Sequence, residues 1–282
     1  MKLFYKKNGI YSFQKDANNF INFCPERGGL ITHWISDSKS VLYFDETRFL
    51  DKTKSIRGGI PILFPICGSL NSINSIFGEN YINMNQHGFA RDFSWNYIFN
   101  KRKNSLRLKL NDDKNTQKYY PFSFKVFIDV ILEKNSLTFE INISNKSELI
   151  MPINFGLHPY FNISAFHNIE FLGLSRNCQN QKTNTIEKTS DNLQKISSGI
   201  DILTYSSGTC SIKDYGLKRQ IKLINPSPLD ICVIWSNPPR NMICMEPWTS
   251  PRDSLKNGIR KIEIPPFSSQ KLITSININN ID

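Results

Sequence analysis

His158 and Glu246 are the two side chains best suited to move protons, and each lies in a segment that restricts its position. His158 precedes Pro159, which favours an extended backbone and gives the imidazole a fixed direction. Glu246 ends the apolar run 242–245, where burial would raise its pKa toward neutrality, as a general base requires. Taken singly, His158 is equally well a core histidine, and Glu246 the point where a strand meets solvent.

Two further segments combine glycine with groups that bind anions or hydroxyls. In residues 57–61 (RGGIP), Arg57 stands beside a glycine pair that lets the backbone approach a ligand closely, and its guanidinium can donate paired hydrogen bonds to a phosphate or to hydroxyls. Residues 86–92 (QHGFARD) place His87 and Arg91 in one short loop. Each segment alone is also compatible with a surface turn or a structural histidine.

The composition and charge limit the partners of such a site. The 282 residues include 39% hydrophobic and 21% charged positions, which indicates a globular chain and excludes a disordered or fibrous one. The net charge of +11 would suit nucleic acid or an anionic small molecule. Outside residues 101–103 and 218–219 the basic side chains are scattered, without the basic and aromatic stripe of a nucleic-acid surface. We therefore predict a few arginines at a local site and no nucleic-acid partner.

The cysteines indicate a reducing environment and no metal centre. The six cysteines include no CxxC pair, and no histidine lies at ligand spacing from any of them along the chain, so we predict buried reduced thiols and no zinc. Lys6 and Lys7 interrupt the amino-terminal apolar residues, and no window reaches the length of about 18 apolar residues needed to span a membrane. These features predict a cytoplasmic protein without a signal peptide or a spanning helix.

Apolar and polar residues alternate wherever a period can be read. Residues 124–132 and 137–143 both follow this pattern, and the polar residues 133–135 between them predict a turn, so the two segments should form an antiparallel hairpin. Further strands are predicted at residues 106–110, 221–224, 229–235, 261–264 and 271–278. No long segment has a helical period, which predicts an all-β protein, a large antiparallel β-sandwich or barrel.

The chain shows no boundary between domains. Residues 178–198 are polar and are predicted to form a surface loop inside one domain, because apolar segments precede and follow them. The prediction is therefore a single domain, residues 1–282. Residues 69–85 carry no recognisable motif, and loops of this kind commonly border ligand sites.

Four motifs, taken together and in this order, carry a family resemblance. The chain resembles the aldose 1-epimerase (galactose mutarotase-like) superfamily in RGGIP at 57–61, HGFAR at 87–91, GLHPYF at 156–161 and CMEPW at 244–248. The first two are most similar to the hexose-6-phosphate 1-epimerase branch. GGLITHW at 28–34 resembles the opening strand of the family, so the likeness covers nearly the whole chain. The ending EPWTSPR at 246–252 is more similar to uncharacterised bacterial relatives.

The resemblance implies a fold and a reaction. The fold would be a large β-sandwich, often called a supersandwich, which agrees with the alternating pattern. The reaction would be the interconversion of the α and β anomers of an aldose by an isomerase without metal or organic cofactor. By motif, Glu246 would be the base that takes the proton of the anomeric hydroxyl, and His158 the acid that protonates the ring oxygen.

Four other positions are implied to bind the substrate. His87 would donate a hydrogen bond to sugar hydroxyls or to the developing charge, and Asp201 would hold ring hydroxyls. Arg57 and Arg91 match arginines that contact phosphate, which together with the basic net charge favours a hexose 6-phosphate such as glucose 6-phosphate. A monomer or a weak homodimer is expected.

Two other classes of protein are weighed against this one. A carbohydrate-binding or sugar-sensing protein could keep the fold without turnover, because a fold alone does not establish activity. A glycoside hydrolase also needs two carboxyl groups around its sugar, whereas here a histidine stands at one of the two proton-transfer positions. Loss of catalysis in Glu246→Gln with sugar binding retained would separate the enzyme from the binding protein.

Overall fold

β-Strands are the main regular structure of the chain, as the alternating pattern predicts. The structure is a computed structural model that describes residues 1–70, 74–78 and 81–281. Its strands are β1 (Lys2–Tyr5), β2 (Tyr11–Asp16), β3 (Asn19–Cys24), β4 (Leu30–Ser36), β5 (Lys39–Ser40), β6 (Ile62–Leu63), β7 (Asn96–Asn100), β8 (Ser105–Asn111), β9 (Phe124–Leu132), β10 (Ser136–Asn145), β11 (Met151–Ile153), β12 (Gly156–Leu157), β13 (Tyr160–Asn162), β14 (Ile169–Leu174), β15 (Asn177–Asn180), β16 (Thr185–Lys188), β17 (Asp201–Asp214), β18 (Arg219–Ile224), β19 (Ile231–Ser236), β20 (Met242–Trp248), β21 (Ile262–Ile264) and β22 (Ser269–Asn280).

Helices are short and lie between the strands. They are α1 (Glu46–Leu50), α2 (Asn74–Phe77), α3 (Thr189–Leu193) and α4 (Ser254–Asn257), with 3-10 turns at Thr116–Lys118, Phe166–Asn168 and Ile196–Ser198. In the part of the chain that the structure describes, none of them has the length and apolar character needed to cross a lipid bilayer.

The strands form three antiparallel sheets. Strands β1 to β5 follow one another in chain order, β11 pairs with β21, and the large sheet has the order β6-β12-β20-β19-β17-β18-β22-β10-β9-β8-β7, with β13 to β16 paired along its side. The long strand β17 joins the two parts of this large sheet, because its residues 201–205 pair with β19 and its residues 209–214 pair with β18. Gly208, with φ of +88°, lies between these two pairings. The architecture confirms the predicted antiparallel β-sandwich.

The predicted hairpin is confirmed and carries much of the core. Strands β9 and β10 pair antiparallel, with Leu132 opposite Leu137 and Ile128 opposite Ile141. These four side chains are buried together with the apolar side chains of neighbouring strands. All six cysteines are buried, as predicted, and have free thiols.

Most predicted strands are present, with ends that differ by a few residues. Strand β22 is longer than predicted, whereas β19 begins at Ile231 rather than at residue 229. Leu229 precedes β19 as part of a turn in which its N–H donates to the carbonyl of Pro226. Pairing with neighbouring strands, which a sequence pattern does not reveal, sets these limits.

The prediction of a surface loop at residues 178–198 is wrong. This segment contains most of the β15–β16 hairpin, followed by α3 and a 3-10 turn. Hydrogen bonds between polar side chains, rather than periodic apolar residues, stabilise this segment. The Asn192 amide donates to Glu187 at 2.8 Å, and the Asn180 amide donates to Glu187 at 3.2 Å. Order built from side-chain hydrogen bonds leaves no hydrophobic periodicity for sequence reasoning to detect.

Two glycine-containing motif segments lie side by side on the sandwich. The carbonyl of Phe64, just after RGGIP, accepts hydrogen bonds from the N–H groups of Phe89 and Ala90 in HGFAR. A Cβ atom at Gly88 would lie 2.2 Å from the Phe64 carbonyl oxygen, so this contact requires glycine. The motif-free stretch 69–85 is predicted to border the site, and its residues 71–73 and 79–80 lie outside the described residues.

Candidate active site

Strand β20 places Glu246 at the base of a cavity. Alternate residues of a strand point to the same face, so Glu246 lies on the same face as Cys244 and Trp248. The carboxyl group is buried, with 1% of the residue exposed. The indole Nε1 of Trp248 donates a hydrogen bond to Oε2 of Glu246 at 3.1 Å, which leaves Oε1 free to face another group. Of the two alternatives that the sequence leaves open, Glu246 is therefore the buried carboxyl group and not the point where a strand meets solvent.

His158 provides that other group. It lies between β12 and β13, where its backbone N–H donates to the carbonyl of Pro61 at 3.0 Å. Its imidazole stacks on the ring of Tyr160 with 4.7 Å between centroids, which fixes its plane. Nε2 of His158 lies 3.2 Å from Oε1 of Glu246. The structure thus brings the two predicted proton-transfer residues into direct contact.

Burial determines where the proton of this pair resides. Desolvation raises the pKa of Glu246 well above its ordinary value, reinforced by the negative charge of Asp201. Desolvation lowers the pKa of His158 to about 3, reinforced by the nearby charges of Arg91 and Arg57. These shifts favour a neutral imidazole at His158 beside a protonated carboxyl group at Glu246. Ring opening, as inferred from the motifs, needs a protonated His158 and an ionised Glu246. That arrangement is reached from this one by transfer of one proton from Glu246 to His158.

These shifts predict an unusually broad pH profile. The pair keeps one proton until the pH falls toward the lowered pKa of His158, and it loses that proton as the pH rises through the raised pKa of Glu246. We expect the catalytic rate with a neutral hexose to stay on a plateau through pH 6.5 and to fall only well below it. NMR measurement of anomer exchange, with the uncatalysed rate subtracted at each pH, tests this expectation. An acid limb centred near pH 6.5 would contradict it.

His87 is held as a neutral hydrogen-bond donor. Its backbone has φ of +72°, a conformation secured by a 2.6 Å hydrogen bond from its N–H to the carbonyl of Gly68. The N–H of Gly68 donates in turn to Nδ1 of His87 at 3.1 Å, so Nε2 carries the ring hydrogen. Burial, reinforced by His158, lowers the pKa of His87 well below its ordinary value. The centroid of this ring lies 5.4 Å from that of the His158 imidazole, so His87 adjoins the proton-transfer pair.

Arg57 and Arg91 border the same cavity. The guanidinium of Arg57 lies over the ring of Trp235, 5.4 Å from its centroid. Arg91 donates from Nη2 to the carbonyl of Gln86 at 2.7 Å, while its buried Nε has no acceptor among the described residues. A Cβ atom at Gly28 would lie 2.3 Å from the carbonyl oxygen of Arg91, which explains the glycine in the early GGLITHW motif. The predicted arginines therefore meet at one site, and one of them keeps an unused donor.

Asp201, at the start of β17, is held from two sides. The amide of Gln181 donates to Oδ1 of Asp201 at 2.8 Å, and Nη2 of Arg252 donates to Oδ2 at 3.0 Å. Sequence reasoning assigned no role to Gln181 or Arg252, although Arg252 ends the EPWTSPR motif. A Cβ atom at Gly68 would lie 2.3 Å from Cγ of Arg252, so the loop that holds His87 also packs against this arginine.

All six predicted site residues line one cavity of about 300 Å³, near the lower end of the ~300–1,000 Å³ typical of small-molecule sites. Its other lining residues are Ser55, Gln86, Tyr160, Val233, Trp235, Trp248 and Arg252. A larger cleft of about 1140 Å³ shares Ser55, Gln86, Arg91, His158 and Tyr160 with this cavity. The arrangement can transfer protons to and from a small polyhydroxyl ligand and can bind an anionic group beside it.

The protein has the features of a galactose mutarotase-like protein. Its β-sandwich contains a small polar cavity, which is lined by a buried carboxyl–imidazole pair and by two arginines. The sequence matches the aldose 1-epimerase family over residues 11–268, so the chain belongs to that family. This confirms the family inferred from the motifs. Aldose 1-epimerases are isomerases, which agrees with the enzyme class predicted from the sequence.

Individual relatives extend this comparison. The Slr1438 protein of Synechocystis sp. PCC 6803 is 29% identical and superimposes with a TM-score of 0.89 over 99% of both chains. A galactose mutarotase related enzyme of Lactobacillus acidophilus shares the fold, with 20% identity and a TM-score of 0.76 over 96% of this chain and 98% of its own. A Cenchrus ciliaris protein provisionally named glucose-6-phosphate 1-epimerase is 30% identical over 168 residues, 54% of this chain. That alignment spans about half of the relative's length, 48%.

Proposed function

We propose that the protein is an aldose 1-epimerase that interconverts the α and β anomers of a hexose, with a hexose 6-phosphate such as glucose 6-phosphate as the preferred substrate. The contact of 3.2 Å between His158 and Glu246 at the base of a polar cavity is the observation that carries this proposal. A buried acid–base pair of this kind suits proton transfer to and from two oxygens of one sugar ring.

The proposed mechanism uses the pair in both directions. The proton first passes from Glu246 to His158; Glu246 then takes the proton of the anomeric hydroxyl while His158 gives one to the ring oxygen. The bond between C1 and the ring oxygen breaks, the open-chain aldehyde rotates about C1–C2, and closure on the other face reverses both transfers. After ring opening, Glu246 is protonated and His158 is neutral, which is the protonation that the buried environment favours. The pair therefore has the same protonation before the first transfer and after ring opening.

The remaining side chains are proposed to position the sugar. Asp201, fixed by Gln181 and Arg252, accepts hydrogen bonds from ring hydroxyls, and Nε2 of His87 donates to a sugar oxygen. Both contacts are made by groups whose own orientation is already set by the protein, which lowers the entropic cost of binding.

Arg57 and Arg91 support the assignment of a phosphorylated substrate. The unpartnered Nε of Arg91 and the guanidinium of Arg57 place two cationic groups at a cavity that holds only the carboxyl groups of Asp201 and Glu246 among its described lining residues. Because Arg252 already pairs with Asp201 and Glu246 favours its neutral form, an anionic group on the ligand would balance the remaining positive charge.

Glutamine substitutions at these arginines are expected to discriminate between substrates. Loss of one charge-assisted hydrogen bond costs about 1.5–3 kcal/mol, so Arg91→Gln and Arg57→Gln should each lower kcat/KM for glucose 6-phosphate by roughly 10–150-fold. The values for glucose and galactose should change much less. Arg102→Gln, in an exposed turn, is the matched control. Equal losses for phosphorylated and neutral sugars would contradict the phosphate assignment and make the arginines hydroxyl ligands.

A non-catalytic sugar-binding or sugar-sensing protein on the same fold is the alternative. Anomer exchange should be measured by NMR on glucose 6-phosphate, glucose and galactose, alongside binding of each sugar by calorimetry. Exchange that is lost in Glu246→Gln while binding persists supports the enzyme. Binding without exchange in the wild-type protein supports the alternative, and release of free sugar from an aryl glycoside would point to a hydrolase.

We also propose the domain organisation, the location and the oligomeric state of the protein. It forms a single domain of residues 1–282, lies in the cytoplasm, and is a monomer or a weak homodimer. The buried free thiols support a reducing compartment.

A further inference from the structure

Cys244 adjoins the proton-transfer pair and has no part in the proposed reaction. Its Sγ, a ring nitrogen of His158 and a carboxylate oxygen of Glu246 all lie within 4.8 Å of one another, and all three residues are buried. Cys244 and Glu246 share one face of β20. The backbone N–H of His158 donates to the carbonyl of Pro61, which fixes the backbone that carries the imidazole. The spacing along the chain hid this cluster, because His158 comes from a different strand connection.

We propose that Cys244, His158 and Glu246 form a binding site for a thiophilic divalent cation such as Zn²⁺, and that the bound cation inhibits the enzyme by occupying the proton-transfer pair. Thiolate, imidazole and carboxylate are the three ligand types that zinc takes in proteins. The binding part stands on the geometry of the cluster alone. The inhibition part rests on the proposed function.

The geometry of the cluster suits a tetrahedral ion after a small adjustment. Bonds of about 2.0–2.3 Å hold tetrahedral ligands roughly 3.3–3.7 Å apart, so the most distant pair would need to close by about 1 Å. The described protein supplies three ligands, and a water molecule from the cavity can be the fourth. This is the coordination of zinc sites that retain an exchangeable position.

Charge balance also favours a divalent ion. A thiolate at Cys244 and a carboxylate at Glu246 together carry two negative charges, which neutralise the charge of a divalent cation. Because a metal binds these groups in their deprotonated forms, binding releases protons to the buffer. The other charged groups facing the cluster are Arg57, Arg91 and the Asp201–Arg252 ion pair.

The cation can reach the cluster by the route that the sugar uses. His158 and Glu246 line the cavity of about 300 Å³, whereas the Cys244 side chain packs beside Tyr160 and Met242. Entry therefore delivers the ion first to the imidazole and carboxyl groups and then to the thiol. Sugar and cation should compete, because both need the same two catalytic side chains.

Titration of the full-length, tag-free protein with Cd²⁺ tests the binding directly, since a cadmium–thiolate bond has an ultraviolet charge-transfer band. We expect one equivalent to produce this band in the wild-type protein and in Cys178→Ala, a control for a buried thiol outside the cluster. The band should disappear in Cys244→Ala, and the Kd for Zn²⁺ should rise at least about 100-fold. Calorimetry in buffers of different ionisation enthalpy should show that binding of Zn²⁺ releases protons.

Activity provides the second arm of the test. Zn²⁺ should slow anomer exchange by the wild-type protein, EDTA should restore it, and added sugar should raise the concentration of Zn²⁺ required. Each variant is compared with itself with and without metal. A charge-transfer band that persists in Cys244→Ala, or the absence of a band in the wild-type protein, would overturn the proposal. Should Cys244→Ala fail to fold, Glu246→Gln must still weaken binding of Zn²⁺ or the proposal fails.

The two proposals can fail separately. A cadmium band that depends on Cys244 in a protein without anomer exchange would support the metal site and refute the epimerase. Anomer exchange that is insensitive to Zn²⁺, with no cadmium band, would do the reverse.

Discussion

Replacement of Glu246 by glutamine is expected to slow anomer exchange by about 10²–10⁴-fold, the usual contribution of one general acid–base group. Glutamine keeps the shape of the side chain and can still accept the hydrogen bond from Trp248, but it cannot take the proton of the anomeric hydroxyl. Sugar affinity should change little, because Asp201, His87 and the arginines are untouched. NMR exchange rates together with calorimetric Kd values measure both effects.

The same substitution is expected to preserve or increase stability at alkaline pH. A group whose pKa is raised by folding contributes stability at low pH that is lost as the pH rises through the folded-state pKa, and Glu246 is such a group. Glutamine removes this loss, so the Tm of Glu246→Gln at pH 9 should equal or exceed that of the wild-type protein. Glu263→Gln, at a largely exposed glutamate of β21, is the control for removing a carboxylate elsewhere. Near-normal activity of Glu246→Gln would refute the assigned role.

Replacement of His158 by alanine is expected to cause a loss of similar size, about 10²–10⁴-fold. The imidazole is the proposed donor to the ring oxygen, and its contact with Oε1 of Glu246 makes the two side chains one proton-transfer unit. Residues that act as a unit have strongly non-additive effects. The double variant His158→Ala, Glu246→Gln should therefore be only slightly slower than either single variant.

Exchange rates of the wild-type protein and of the three variants complete this double-mutant cycle. His167→Ala, at an exposed histidine, controls for loss of an imidazole as such. Additive losses, with the double variant slower by the product of the single effects, would mean that His158 and Glu246 act independently and would contradict the shared-proton mechanism.

Much of the fold follows from sequence because its pattern is local. The β9–β10 hairpin could be predicted from alternating side chains and a polar turn, and the two strands pair antiparallel as predicted. The β15–β16 hairpin and α3 could not, since polar side chains such as Glu187 and Asn192 hold them together through specific contacts rather than through periodic burial.

The site was predictable to the extent that motifs fix backbone geometry. Residues that precede a proline or a glycine pair, such as His158 and Arg57, stand out in the sequence, and the structure gathers them at one cavity. The roles of Gln181 and Arg252 at Asp201 arise only from tertiary contacts. The protonation of the His158–Glu246 pair likewise depends on burial, which a sequence does not give.

The most direct test of the central claim is magnetisation exchange between the α and β anomeric protons of glucose 6-phosphate at chemical equilibrium. A catalytic amount of the wild-type protein should produce exchange cross-peaks well above the spontaneous rate, whereas Glu246→Gln should give none above background. Cross-peaks no stronger with the wild-type protein than without it, on glucose 6-phosphate and equally on glucose and galactose, would contradict the account.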